Sequence, residues 1–383
     1  MKRRIACITG TRADYPRVRS VLKEINSRQN LELDIIVTGS HLLKDYGYSA
    51  QEIIDDGFSI SKEVEMFIGD FDTPLGMAEA SARCTSGVAH ALSEIKPDLV
   101  LITVDRVETL ASVTAASLMN FPIAHIQGGE VTGTIDESIR HAVTKLSHIH
   151  FPATIDAAQR IINMGENKAH VFTTGCPYID EIRSMVPVDL SRLSTKYGFD
   201  QNKKIIIFTQ HSVTTEFKDS LGQVEQTIKA LEDFPDTQII SFFSNTDAGG
   251  KKIIKRIGEQ ENFIKIANMI SKDFLSLMSY SSLMIGNSSA AIREAPSFKL
   301  PAINIGSRQN GRLRAINVID VDHDSNEIKE AIIKCIYDTE FKDSLRDLVN
   351  PYGNGTAAKK IVDVLENIEL NRELIQKEIY YDL

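Results

Sequence analysis

The sequence predicts an α/β protein built from two doubly wound domains. Short apolar runs alternate with amphipathic stretches from residue 4 to residue 153, and the same alternation restarts at Lys204. Polar, glycine-bearing segments follow the apolar runs. A βαβ alternation calls for parallel strands with helices on both faces.

The elements follow in order. Arg4–Thr9 reads as a buried strand, Tyr15–Asn26 as a helix and Leu33–Thr38 as a second strand. The helical stretch Met77–Ile95 leads into a strand at Pro97–Thr103, and a helix at Arg106–Leu118 leads into a strand at Pro122–Ile126. Ile135–Leu146 is helical, with Thr134 and Glu137 fitting a capping box, and Ile149–Ala153 is a short strand. The second half offers strands at Lys204–Thr209, Gln238–Phe243, Phe263–Ala267, Ser282–Gly286 and Pro301–Ile305. Helices are expected at Ser220–Phe234, Lys251–Gln260, Lys272–Ser279 and Ala357–Ile368, with a charged tail helix at Asn371–Lys377. The expected domains are 1–178 and 186–365, with 366–383 as the tail.

Composition narrows the function classes. At 383 residues, 42% hydrophobic and 25% charged, the chain has the makeup of a soluble globular protein with a sizeable core. A net charge of -9 argues against nucleic acid and anionic membranes as partners. Cys7, Cys84, Cys176 and Cys335 form no C-x-x-C pair, so reduced thiols and a cytoplasmic location are expected. The basic start Met1–Arg4 precedes an apolar run too short for a signal peptide, and no run reaches membrane-spanning length.

In open parallel sheets ligands bind beyond the carboxyl ends of the strands, and the unusual residues sit there. The most informative stretch is His125 to His141, where Gly128, Gly129 and Gly133 interrupt a cluster of His125, Glu130, Asp136, Glu137, Arg140 and His141. Glycines let backbone approach a ligand, and the ionisable groups can move protons or hold anions. A capped surface loop is the plainer alternative, but it leaves Gly128-Gly129-Glu130 and the two histidines unexplained. Asp105 and Glu130 follow successive strands, a pairing suited to acid/base work on a sugar; an Asp105–Arg106 ion pair is the alternative. Gly286-Asn287-Ser288-Ser289 opens a helix and is a phosphate-site candidate, with a plain serine cap as the competing reading. Arg12, Arg106 and Arg308 together suit a diphosphate. His211 suits phosphate donation or protonation of a leaving group, or simply a backbone contact. His148 and His150 share a strand face, which suits structure better than metal because no third ligand is near.

These residues, taken in order, resemble the hydrolysing UDP-N-acetylglucosamine 2-epimerases of sialic acid biosynthesis over nearly the whole chain. The likeness rests on Thr11-Arg-Ala-Asp-Tyr15, Thr38-Gly-Ser-His41, Asp105-Arg106, Gly128-Gly-Glu130, Gly133 to His141, Val213-Thr-Thr-Glu216, Asn245, Gly286 to Ser289, Arg293-Glu294 and Gly306 to Gln309. The resemblance implies a GT-B fold, two Rossmann-like domains with the site in an interdomain cleft. It implies loss of UDP by elimination to a 2-acetamidoglucal, then addition of water with inversion at C2 to give free N-acetylmannosamine. Asp105 and Asp136 match catalytic carboxylates, joined by Glu130, Gln127 and His211 in the catalytic set. Arg12, His211, Ser288, Ser289 and Arg308 match diphosphate contacts, and Glu294 matches a ribose contact. His41, Arg106, Glu130, Arg140 and Asn245 match the sugar pocket. No cofactor or metal is implied, and a homodimer or homotetramer is.

The chain departs from the family pattern at four places. Gln127 stands where the family carries a glutamate with a catalytic role, and glutamine cannot act as a base at neutral pH. Proton transfer then falls to Glu130, Asp105 or Asp136. Val104 and Ala291 replace glycines, and Ser212 replaces a proline. The departures suggest a subfamily, with UDP-N,N'-diacetylbacillosamine of legionaminic acid biosynthesis as the alternative substrate. A glycosyltransferase, a non-hydrolysing epimerase and a nucleotide-sugar sensor without turnover are the competing classes.

Overall fold

The computed structural model describes residues 2–380 apart from 13, 45–47, 70, 72, 132–134, 214–215, 245–249 and 268; the side chains of residues 135 and 136 also lie outside the description. The chain divides into two compact units, Met1–Glu181 with Tyr352–Leu383, and Ile182–Pro351.

In the first unit the strands are β1 (Arg3–Thr9), β2 (Leu31–Thr38), β3 (Lys62–Val64), β4 (Leu99–Thr103), β5 (Ile123–Ile126) and β6 (Ile149–Phe151). They pair in the order β3-β2-β1-β4-β5-β6, each described pair parallel. Central strands of such a sheet are covered on both faces, which is why they read as unbroken apolar runs. Side chains nevertheless alternate. Ile5, Cys7, Leu99 and Leu101 pack with Val21, Leu22 and Ile25 of the helix Arg19–Ser27. Ala6, Ile8, Val100 and Ile102 pack with Cys84, Val88 and Leu92 of the helix Pro74–Ile95 and with Ala111 of the helix Val107–Leu118.

The second unit repeats the plan. Its strands are β7 (Lys204–Thr209), β8 (Thr237–Phe242), β9 (Phe263–Ile266), β10 (Leu283–Gly286), β11 (Ala302–Ile305) and β12 (Val318–Val321). Their order is β12-β11-β10-β7-β8-β9. Counted from β7, this is the same 3-2-1-4-5-6 order as the first sheet, with a topological switch between β7 and β10 as there is between β1 and β4. Two doubly wound α/β sheets are therefore present, as the sequence indicates.

The domain limits need correction at one end. The helix Ala357–Asn367, expected to close the second domain at residue 365, belongs to the first unit with the segment after it. Ala358, Ile361, Val362 and Leu365 are buried in the first core against the helix Arg19–Ser27. Asp180 caps the returning helix by accepting from the Ala357 and Ala358 N–H groups at 3.1 and 2.7 Å. Arg28 then binds Asp363 and Glu366 at 2.7 and 3.1 Å. An amphipathic stripe shows that a helix packs somewhere, but not on which sheet.

Other differences are local. Strands β3 and β12, absent from the expected set, are short sheet edges whose runs are broken by charged residues, Lys62 and Glu63 in one and Asp320 in the other. The expected helix Tyr15–Asn26 is a 3-10 turn, Tyr15–Arg17, followed by the helix Arg19–Ser27. The helix expected after Gly286-Asn-Ser-Ser spans only Ala290–Arg293 before a 3-10 turn at Ala295–Phe298.

Candidate active site

In the first unit, the ends of β1 and β2 meet through glycines. A Cβ on Gly10 would lie 2.7 Å from the Glu108 Cβ, and one on Gly39, at φ +61°, would lie 2.5 Å from the Gly10 carbonyl oxygen. His41 is fully buried, with Nε2 3.0 Å from Thr9 Oγ1 and Nδ1 2.8 Å from Ser49 Oγ. Burial pushes its pKa down to about 4, so the ring is neutral. Both nitrogens are used inside the protein, which gives His41 a structural task beside its expected place in the sugar pocket. Asp14 is buried nearby, and desolvation raises its carboxyl to about 7 despite a hydrogen bond with Thr11.

The ends of β4 and β5 are more strained. Val104 has φ +61° and Gln127 φ +65°. Such left-handed backbone costs a residue with a Cβ roughly 1–2 kcal/mol, and a β-branched residue is the least suited to it. The expected departures from glycine and glutamate thus fall on two left-handed positions. Val104 is held on both sides: its N–H donates to the Ile126 carbonyl at 3.2 Å, and its carbonyl oxygen lies 2.9 Å from His125 Nε2. The Gln127 side chain is buried, its Oε1 accepting from Arg17 at 2.7 Å and its Nε2 donating to Cys176 Sγ. Position 127 is therefore engaged within the first unit's own packing.

Gly128 and Gly129 also serve packing. A Cβ on Gly128 would lie 3.0 Å from His125 Nδ1, and one on Gly129, at φ +77°, would lie 2.3 Å from the Ala157 carbonyl oxygen. At both positions a side chain would run into protein atoms, so glycine is needed for packing beside its expected task of admitting a ligand.

Arg140, on the helix Ile135–Leu146, is only 2% exposed. Its Nη2 pairs with Asp105 Oδ2, and its Nη1 donates to the Glu130 carbonyl at 2.6 Å. The Asp105 carboxylate keeps 20% exposure. One buried guanidinium thus joins the two segments that carry Asp105 and Glu130, and Asp105 pairs with Arg140 rather than with Arg106 as the alternative had it. Arg12 and Arg106 are exposed. The charge of Arg106 acts to lower the Asp14 pKa. The side chain of Asp136 and all of Asn245 lie outside the described residues. His148 and His150 take the structural role: His148 Nδ1 accepts from the Ile123 N–H at 3.0 Å, and His150 Nε2 lies 3.1 Å from Glu166 Oε2.

The second unit gathers its candidates around Asn287, at the switch between β7 and β10. Asn287 Oδ1 accepts from the His211 N–H at 2.7 Å, and its Nδ2 donates to the His211 carbonyl at 2.8 Å. Its own carbonyl accepts from Arg308 Nη1 at 3.2 Å and from Gln309 Nε2 at 2.8 Å. Close packing of the two strands requires Gly286, where a Cβ would sit 1.9 Å from the Thr209 carbonyl oxygen. Ser288 Oγ accepts from the Ala290 N–H at 3.3 Å, and Ser289 precedes the one-turn helix. Glu216 fixes the neighbouring loop, accepting from Ser307 Oγ at 2.5 Å and from Gln223 Nε2 at 2.8 Å. His211, Ser288, Ser289 and Arg308 are thus brought together; Glu294 follows the same short helix and is half-buried. Sequence reasoning missed the clamping role of Asn287 and the buried Asp14. For Asn287 the signal was an amide beside a strand-end glycine; Asp14, between Arg12 and Arg17, carried none that marks burial.

Two Rossmann-like units, each with polar groups beyond its strand ends, define an α/β enzyme of the GT-B type. A family model described as UDP-N-acetylglucosamine 2-epimerase matches residues 23–366, and the chain belongs to that family. It is 36% identical to the UDP-N,N'-diacetylbacillosamine 2-epimerase (hydrolyzing) of Legionella pneumophila, over 98% of this chain and 99% of that one. It is 34% identical to the UDP-N-acetylglucosamine 2-epimerase of Neisseria meningitidis, over 96% of each. It is also 34% identical to the GDP/UDP-N,N'-diacetylbacillosamine 2-epimerase (hydrolyzing) of Campylobacter jejuni, over 97% of each. The fold matches the crystal structure of the Neisseria meningitidis UDP-GlcNAc 2-epimerase bound to UDP-GlcNAc, with a TM-score of 0.81 at 21% identity over 94% of this chain and 99% of that one. The chain is thus a hydrolysing nucleotide-sugar 2-epimerase. Among the described residues no helix is long and apolar enough to cross a membrane.

Proposed function

We propose that this chain converts UDP-N-acetylglucosamine and water to N-acetylmannosamine and UDP, for sialic acid-type sugar biosynthesis. The observation that carries the reading is the Asp105 carboxylate, kept partly open to solvent and fixed by the buried Arg140 beside the Glu130 segment. In the proposed reaction a carboxylate takes the C2 proton, the C1–O bond to UDP breaks, and the electron pair of the C–H bond becomes the C1–C2 double bond of a glucal. Water then adds its hydroxyl at C1 while C2 is reprotonated from the opposite face. Asp105, Glu130 and Asp136 carry the proton transfers, and Gln127 orients without acting as a base. His211, Ser288, Ser289 and Arg308, with Arg12, hold the diphosphate, and Glu294 holds the ribose. His41, Arg106, Arg140 and Asn245 shape the sugar pocket.

A second substrate, UDP-N,N'-diacetylbacillosamine, is favoured by the names of the Legionella and Campylobacter relatives. Proton NMR in deuterated water, run in parallel on both nucleotide sugars, tests the two. Free sugar with deuterium at C2 and released UDP supports the reaction and picks the substrate. Return of a nucleotide-linked epimer, or absence of turnover on both, overturns it. Asp105→Asn is expected to abolish turnover while UDP still binds. Assembly as a homodimer or homotetramer in the cytoplasm belongs to the same reading, and sedimentation velocity measures the assembly.

A further inference from the structure

His125 belongs to the cluster that marks this sequence, yet it is fully buried and so is removed from substrate. Its Nε2 lies 2.9 Å from the carbonyl oxygen of Val104, the residue immediately before Asp105. A carbonyl oxygen only accepts, so Nε2 carries the proton and Nδ1 is bare. Burial keeps the ring neutral, its pKa pushed down to about 3, although the Val104 bond works in the other direction. Nδ1 and the Thr144 hydroxyl are buried with no hydrogen-bond partner among the described residues, and a Cβ on Gly128 would lie 3.0 Å from the first and 3.1 Å from the second. One edge of the imidazole thus binds the peptide leading to Asp105, while the other packs on the segment leading to Glu130.

We infer that His125 is a positioning residue: its Nε2–H holds the left-handed Val104 peptide, and with it the Asp105 carboxylate, in register with Arg140. Val104 is disfavoured at φ +61° and needs an external hold, whereas glycine adopts that backbone freely. The ring never exchanges a proton with substrate; its effect reaches the reaction through the backbone of residue 104. This rests on the epimerase reading, because Asp105 is taken as the reacting carboxylate.

The test uses the full chain with whichever of the two nucleotide sugars the wild type turns over. His125→Phe keeps the ring volume and removes the donor. It is expected to lower kcat by about tenfold or more while KM moves less than about threefold, since a small misplacement of a catalytic group is costly and binding groups are untouched. Adding Val104→Gly is expected to recover at least about threefold in kcat, which a general loss of packing would not allow. A folded His125→Phe protein with wild-type kcat, or a double variant no faster than the single one, overturns the inference. Long-range proton–nitrogen NMR of the wild type decides the matter even where the variant does not fold or the wild type turns over neither sugar. A His125 ring protonated only at Nε2 from pH 5 to 8 supports the hold on Val104, and a ring protonated at Nδ1 or titrating in that range overturns it. Absence of wild-type turnover sinks the epimerase reading alone, so the two failures are separable.

Discussion

Asn287 grips the backbone of His211 with both ends of its amide, accepting from the N–H at 2.7 Å and donating to the carbonyl at 2.8 Å. The contact fixes the end of β7 to the end of β10 at the switch point of the second sheet. A carboxamide makes both contacts because its acceptor oxygen and donor nitrogen share one carbon. Asn287→Ala strands two backbone groups and is expected to cost about 1–3 kcal/mol in stability, measured by denaturant unfolding. Titration calorimetry is expected to show UDP affinity reduced about tenfold, an effect of roughly 1.4 kcal/mol. Unchanged affinity would separate this clamp from the nucleotide site.

Arg140 does for the first unit what Asn287 does for the second. Arg140→Ala removes the partner of Asp105 and the donor to the Glu130 carbonyl. Because Asp105 retains contact with water, the loss of stability is expected to reach about 3 kcal/mol at most, at the low end for a broken buried pair. Turnover is expected to fall by about a hundredfold, read as kcat in single-turnover assays.

Restoring a carboxylate with Gln127→Glu keeps the contact with Arg17 but loses the N–H donated to Cys176. Stability within about 1 kcal/mol of wild type is expected, since one hydrogen bond weakens as another gains charge. The pH–rate profile is expected to gain no new limb. Faster turnover with an added limb would return position 127 to proton transfer.

Acid weakens the fold through its buried histidines. Burial holds His41 at about 4, His125 at about 3 and His148 at about 4. These folded values lie below the unfolded one, so the unfolded chain binds more protons and stability falls as pH drops below about 6.5. Asp14 acts oppositely: its folded value of about 7 lies above that of the unfolded carboxyl, so it favours the fold at low pH and loses that contribution as pH rises through 7. The melting temperature of Asp14→Asn is therefore expected to fall more steeply than that of wild type between pH 7 and pH 5. A parallel fall in calorimetry would mean that Asp14 titrates normally.

The returning helix anchors the first core. Ile361 is fully buried against the helix Arg19–Ser27. Ile361→Ala is expected to cost about 2–5 kcal/mol, measured by thermal unfolding.

How much could be read in advance varies with the kind of residue. The runs Ile5–Ile8, Leu99–Ile102 and Ile205–Phe208 announced central parallel strands because both of their faces are covered. The edges β3 and β12 gave no such signal, since one side of an edge strand has no neighbour and tolerates Lys62, Glu63 and Asp320. Among the candidate residues, His211, Ser288, Ser289 and Arg308 stood out because polar groups and glycines collect beyond strand ends. The packing work of Gly128, Gly129 and His125 stayed hidden, because a glycine crowded by a ring or a carbonyl and one in open space are the same letter.

Taken alone, the sequence determined the two parallel α/β sheets, the strand ends where polar residues and glycines collect, and the family pattern. Local periodicity encodes which faces are buried, and that suffices for these. Tertiary structure alone decided that residues 357–367 pack on the first sheet, that Arg140 rather than Arg106 holds Asp105, and that Gln127 is bound by Arg17 and Cys176. Each of these joins residues far apart in the chain. Such pairings depend on which surfaces meet after folding, and no spacing within the sequence records that.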